Sequence, residues 1–146
     1  MHQDLHSMTP DQKRLVQKTW EKVLPISESA ATLFYDRLFE LDPSIRPLFA
    51  HTSMPDQRRK LMNVIGTAVD GLDTPDKLIP VVRNLGRRHV SYGVTHEHYS
   101  SVGSALIWTL GQGLGAAFTP EVKEAWTTVY RLLAATMKDA AVQAAA

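Results

Sequence analysis

Apolar residues recur every three to four positions along most of the chain, and the breaks between these runs fall on proline and glycine. Thr9-Pro10-Asp11-Gln12 has the make-up of a helix start: Thr9 can cap, Pro10 suits the first helical position and Gln12 can reach back to close a capping box. Leu15, Val16, Thr19, Trp20 and Val23 then share one face, which predicts a first helix to about Leu24, ended by Pro25. A second helix from about Ser27 gathers Ala30, Ala31, Phe34, Tyr35, Leu38 and Phe39 and closes at Asp42-Pro43. Ile45, Leu48 and Phe49 fit one short helical turn. From Pro55 a longer helix sets Leu61, Val64, Ile65, Ala68, Val69 and Leu72 on one side, with Gln57, Arg58, Arg59 and Lys60 in its first turns.

Pro80 removes a helical hydrogen bond and crowds the preceding turn, so Asp76 to Tyr92 is expected as a short helix, a kink and a second piece. In that piece Val81, Val82, Leu85, His89 and Tyr92 lie along one face. A helix over about Glu97 to Leu114 follows, then a glycine-rich turn. Thr119-Pro120-Glu121 opens the last helix, whose stripe is Val122, Ala125, Trp126, Val129, Leu132, Leu133 and Thr136. No segment alternates with period two for long enough to argue for a sheet, so the fold class is all-α. Residues 1–8 are expected to form a disordered extension, 9–142 one domain, and 143–146 a frayed end.

Composition narrows the choice of partner. A chain of 146 residues makes one domain that buries about 70% of the surface its unfolded form exposes, enough to hide a cofactor. Sixteen basic against fifteen acidic residues leave a charge of +1, with the cations scattered, which argues against nucleic acid. The absence of cysteine excludes disulfides, a thiolate nucleophile and cysteine-ligated metal. No signal-like start and no membrane-length apolar run occur, so a cytoplasmic protein without a membrane partner is expected.

Of six histidines, His2, His6, His51, His96 and His98 fall in the extension, a loop or a helix start. His89 alone lies on an apolar helix face, where each ring nitrogen needs a partner. From spacing alone it fits a hydrogen-bonded core histidine better than a metal ligand. Tyr35 faces the same interior, and Gln57 precedes Leu61 by about one turn. A core tyrosine and a solvated helix start suffice for each separately. Together with His89 they place a hydroxyl and an amide toward one apolar space, where leaving each unpartnered costs about 1–3 kcal/mol.

These residues carry a resemblance. Leu33-Phe34-Tyr35, the Pro43 to Phe49 stretch, Gln57 to Met62, Leu85-Gly86-Arg87-Arg88-His89 with Tyr92-Gly93-Val94, and His98 to Gly103 resemble the globin family, over about Thr9 to Lys138. The likeness is greatest to bacterial single-domain globins of the flavohaemoglobin and neuroglobin-like branch. It implies a globin fold of about seven to eight helices around haem b, with His89 as the proximal iron ligand and Phe49 flat on the porphyrin. It places Tyr35, Gln57 and Leu61 around the gas, with Phe39 behind them, and Leu85, Val94, Tyr99 and Val102 as proximal packing. Lys60 and Arg88 are the candidates for the haem propionates.

The resemblance further implies binding of O2, NO and CO at ferrous iron, with Tyr35 and Gln57 stabilising oxygen and the ligand-free ferrous state five-coordinate. The alternatives are nitric oxide dioxygenation or nitrite reduction with a separate reductase, since the chain stops at Ala146 without room for a reductase domain, and a haem-free sensor or interaction module. A monomer or weak homodimer is expected. In flavohaemoglobins a carboxylate on the last helix pulls on the proximal histidine through a tyrosine; here the tyrosine matches Tyr99, but the acidic position falls on Ala141. That departure weakens any peroxidase-like chemistry.

Overall fold

The structure, a computed structural model, describes residues 5–145. Six α-helices carry these residues: α1 (Pro10–Val23), α2 (Ser27–Leu41), α3 (Met54–Asp70), α4 (Pro75–Ser91), α5 (His96–Leu114) and α6 (Pro120–Ala145). Short 3-10 turns link them, the longest being Pro43–Phe49. The all-α expectation therefore holds, while the number of α-helices is six where seven to eight were expected.

Part of that difference lies at Pro80. The expected kink and second piece are one continuous helix, α4, with Pro80 inside it. Proline there forfeits only the bond to Asp76 in the first turn, and Pro80 is exposed, so its ring meets no packed neighbour. The face α4 buries is also rotated from the expected one: Leu78, Val82 and Gly86 are buried, whereas Val81 and Tyr92 stand 51% and 59% exposed.

The start of α1 follows the local chemistry. Thr9 Oγ1 accepts from the Gln12 N–H and Gln12 Oε1 accepts from the Thr9 N–H, both at 3.1 Å. The preceding segment departs from expectation. Leu5–Ser7 forms a 3-10 turn, and Leu5 and Met8 are buried in the main core, so the second half of the expected disordered extension is packed. Two apolar side chains that find a pocket outweigh a polar local composition. Residues 1–4 of that extension, and Ala146 of the expected frayed end, lie outside the described residues.

α4 packs along α6, α2 along α5, and α1 against α6. Close approach of α4 to α6 depends on Gly86, where an added Cβ would stand 2.4 Å from the Met137 carbonyl oxygen. Buried apolar side chains fall into two clusters. The larger joins α1, α4, α5 and α6 around Trp20, Val82, Tyr99, Trp126 and Leu132. The smaller holds Phe34, Tyr35, Leu38, Ile45 and Ala105, and half-buried Leu106 touches both. Inside the larger cluster Trp126 Nε1 donates to Thr19 Oγ1 at 2.8 Å, and Thr19 donates on to the Leu15 carbonyl at 2.6 Å.

Candidate functional site

α2 carries Tyr35 into the smaller cluster, where it is 5% exposed. Three aromatic rings surround it: Phe34 edge-on at 5.0 Å, Phe49 edge-on at 5.6 Å and Phe39 at 6.1 Å between centroids. Phe49 arrives on the Pro43–Phe49 turn, which Asp42 fixes by accepting from the Ser44 N–H and hydroxyl and from the Ser101 hydroxyl of α5. The Ser44 hydroxyl, ahead of the other contacts, holds the Asp42 carboxyl below its usual range. Gln57, in the first turns of α3, donates from Nε2 to the Tyr35 hydroxyl oxygen at 3.1 Å.

That hydrogen bond has a directional consequence. With its oxygen already accepting from the amide, the Tyr35 hydroxyl keeps its proton free to donate elsewhere. Burial pushes its pKa up and outweighs the opposing pull of Gln57, so the phenol stays protonated throughout the physiological range. A neutral donor thus sits in an apolar enclosure with its amide support behind it. Leu61 packs against the same cluster.

His89 belongs to the last turn of α4, one turn beyond Gly86. Its Nδ1 lies 3.4 Å from the Tyr99 hydroxyl, and the Tyr99 and Tyr92 rings both stand 6.2 Å from the imidazole. Burial, with the adjacent Arg88 cation, lowers the His89 pKa, which favours the neutral imidazole and leaves a nitrogen lone pair for a metal. Nε2 has no hydrogen-bond partner among the described residues. A ring held through one nitrogen by an oxygen, with the other nitrogen unengaged, is the usual arrangement of a metal-ligating histidine.

No group of three or more His, Cys, Asp or Glu side chains capable of holding a metal occurs among the described residues. A metal taken up by His89 must therefore bring most of its ligands with it, as iron in a porphyrin does. The surroundings suit such a group. Leu48 beside Phe49, Val64 close to one turn past Leu61, Val90 beside His89, and Tyr92 near the imidazole are all large apolar side chains left in solvent. Their clustering around the site residues in the sequence is what a broad, flat, apolar cofactor would cover. The residues present fit a haem.

The residues singled out in the sequence distribute as follows. Tyr35, Gln57, Phe39, Phe49 and Leu61 come together in the smaller cluster, while Leu85, Val94 and Tyr99 join the larger one that borders His89. Val102 packs with Tyr35 and its neighbours. Lys60 and Arg88 are exposed. The side chain from α6 that meets Tyr99 is Lys138, its ammonium 5.5 Å from the ring centroid, and not Ala141. Asp139, next to it, turns away to pair with Arg83 at 2.9 Å. A one-residue step on a helix moves a side chain about 100°, so the carboxylate nearest in sequence points elsewhere and a cation stands over the ring. Gly86, Leu106 and Tyr130, whose hydroxyl donates to the Tyr99 carbonyl at 2.6 Å, were missed. Each acts through a helix far off in the sequence, and no local pattern marks it.

Comparison with known proteins agrees with this geometry. A model of the Globin family matches residues 32–137, a span that includes Tyr35, Phe49, Gln57, His89 and Tyr99. A flavohemoprotein of Rhodopirellula baltica is 35% identical over 83% of this chain, which spans 30% of that protein's length. A neuroglobin of Chaenocephalus aceratus is 31% identical, with 91% of this chain and 92% of the neuroglobin covered. The fold is shared with a hexacoordinated heme protein from an anhydrobiotic tardigrade, with a TM-score of 0.82 over 93% of this chain and 96% of that one at 17% identity. No helix among the described residues is long and apolar enough to cross a membrane. The chain belongs to the globin family, and haem is the cofactor that membership implies.

Proposed function

We propose that this chain binds haem b through His89 Nε2 and holds a diatomic gas beside Tyr35. When bound, the haem supplies a ferrous iron that takes O2, NO or CO reversibly and shifts negative charge toward oxygen far more than toward carbon monoxide. Tyr35 provides the donor for that charge, and Gln57 orients it. The observation that carries the reading is the Gln57-to-Tyr35 hydrogen bond within an aromatic enclosure, which occupies the hydroxyl oxygen as acceptor and leaves its proton to donate. Because the Gln57 amide is engaged with Tyr35 and is a poor iron ligand, it would not close on a haem iron, and a five-coordinate spectrum of the ligand-free ferrous protein would be expected.

Tyr35→Phe is the test. It keeps the ring packing and removes the donor. A hydrogen bond to a charge-bearing acceptor is worth about 1.5–3 kcal/mol, so oxygen release should accelerate roughly 10- to 150-fold. Carbon monoxide release, followed by the same stopped-flow displacement, should change by only about 3-fold or less. Equal acceleration of both gases would remove Tyr35 from the donor role.

A second reading is favoured by the flavohemoprotein relatives. In it the oxygen-loaded protein converts nitric oxide to nitrate, with electrons returned by a reductase partner. Sustained turnover with a reductant, beyond a single equivalent, distinguishes this from gas storage. Lys138 over Tyr99 supports neither reading over the other, but it places positive charge where peroxide cleavage would be helped by negative charge.

A further inference from the structure

A groove runs between α5 and α6, outside the cluster that holds Tyr35 and Gln57. Its volume is about 770 Å3, within the range of small-molecule sites. Gly103 brings the two helices together there, since an added Cβ would stand 2.6 Å from the Tyr130 ring. Short side chains at Ser100, Ser104 and Ala135 then leave the space unfilled. The lining is amphipathic in an ordered way. Ile107, Trp108, Tyr130 and Ala134 supply apolar surface, and Arg37 stacked 5.0 Å over Trp108 steadies that ring. Lys123 and Lys138 supply charge at its two ends, and no carboxylate is among the lining residues.

The spacing of those cations is informative. Positions 123 and 138 stand about 22 Å apart along α6, so each cation marks one end of the groove. Lys138 is half-buried, with its ammonium over the Tyr99 ring, so its charge is held close to the apolar lining. In a chain whose net charge is only +1, a groove of one sign with an aromatic and aliphatic lining is matched by a ligand with an anionic head and an apolar body.

We propose that the α5–α6 groove is a second binding site, for a small anionic amphiphile such as a medium-chain carboxylate. The head pairs with Lys138, the half-buried cation at one end of the groove, and the chain runs from there along Ile107 and Trp108. Tyr99 lines the groove and also touches His89.

Isothermal titration of the haem-loaded, carbon monoxide-saturated protein with sodium decanoate, kept below micelle-forming concentration, tests this directly. Decanoate should bind saturably, with decanol roughly 10-fold weaker or worse and acetate undetectable at about 1 mM. Lys138→Gln should weaken decanoate about 10-fold or more and leave decanol unchanged. Ser104→Trp, which fills the groove from an exposed position, should abolish binding while the carbon monoxide spectrum and melting temperature are retained. Absence of saturable heat with decanoate, equal affinity in the Lys138→Gln variant, or undiminished binding in Ser104→Trp would each overturn the proposal.

Discussion

Replacing Gly86 by alanine adds one methyl group, and the structure says where it goes. The new Cβ would stand 2.4 Å from the Met137 carbonyl oxygen, 2.7 Å from its Cα and 2.9 Å from its carbonyl carbon. All three are backbone atoms of a packed helix, so no side chain can swing aside. Restoring ordinary contact requires α4 to withdraw from α6 by about 1 Å, and overpacking of that kind costs about 1–3 kcal/mol or more. For a chain of this size 3 kcal/mol corresponds to a fall in melting temperature of roughly 6–12 °C. His89 sits one turn further along α4, so the withdrawal also lengthens its 3.4 Å contact with Tyr99. Gly66 is the internal control: it too lies within a helix, but its added Cβ meets Trp20 Nε1 at an ordinary 3.6 Å. Gly66→Ala should therefore be neutral or stabilising by up to about 1 kcal/mol from helix propensity alone. Thermal melts of the two variants followed by circular dichroism should move in opposite directions. Loss of stability in both, or an unchanged Gly86→Ala protein, would refute the close-packing argument.

Two further expectations rest on single contacts. Thr19→Val keeps the shape of the side chain but strands the Trp126 indole N–H in the core, which should cost about 1–3 kcal/mol in urea unfolding; Thr109→Val, which breaks only a bond to the Ala105 carbonyl of its own helix, should cost less, and equal losses would count against the Trp126 contact. Asp42 has a folded pKa below its usual value of 3.8, so its stabilising contribution is whole above that pH and drains away as pH falls from there through the lowered value. Asp42→Asn should flatten this part of the acid-unfolding profile, and a variant with the parent's pH dependence would show that the Ser44 and Ser101 contacts contribute nothing.

The sequence disclosed what depends on neighbours. Thr9 and Gln12 are three residues apart, and the capping box they predict forms as expected. The stripes of α1 and α2 are likewise largely the buried ones, because a face of fixed period must meet the core. Pro80 misled because the local rule concerns an isolated helix, whereas packing against α6 carries α4 through one missing bond. The exposure of Val81 and Tyr92 and the placement of Lys138 over Tyr99 were not legible, since each depends on the phase of one helix against another. Gly86 illustrates the limit: its partner Met137 lies 51 positions away, and nothing in the intervening chain announces it. At the site, His89 stood out by its apolar setting, while the meeting of Tyr35 with Gln57 was expected only as a shared direction and emerges as a hydrogen bond.

The unequal division of the interior bears on how the chain acquires its pigment. The lobe built from α1, α4, α5 and α6 owns most of the buried hydrocarbon, whereas the lobe of Phe34, Tyr35 and Ile45 is small and shares Leu106 with it. A haem bound by His89 and reaching Tyr35, as proposed, would border both lobes and add apolar surface to the smaller one. If haem is held there as proposed, its retention and order in that lobe are one equilibrium seen from two ends, and loosening Ile45 or Leu38 would weaken haem binding without touching His89.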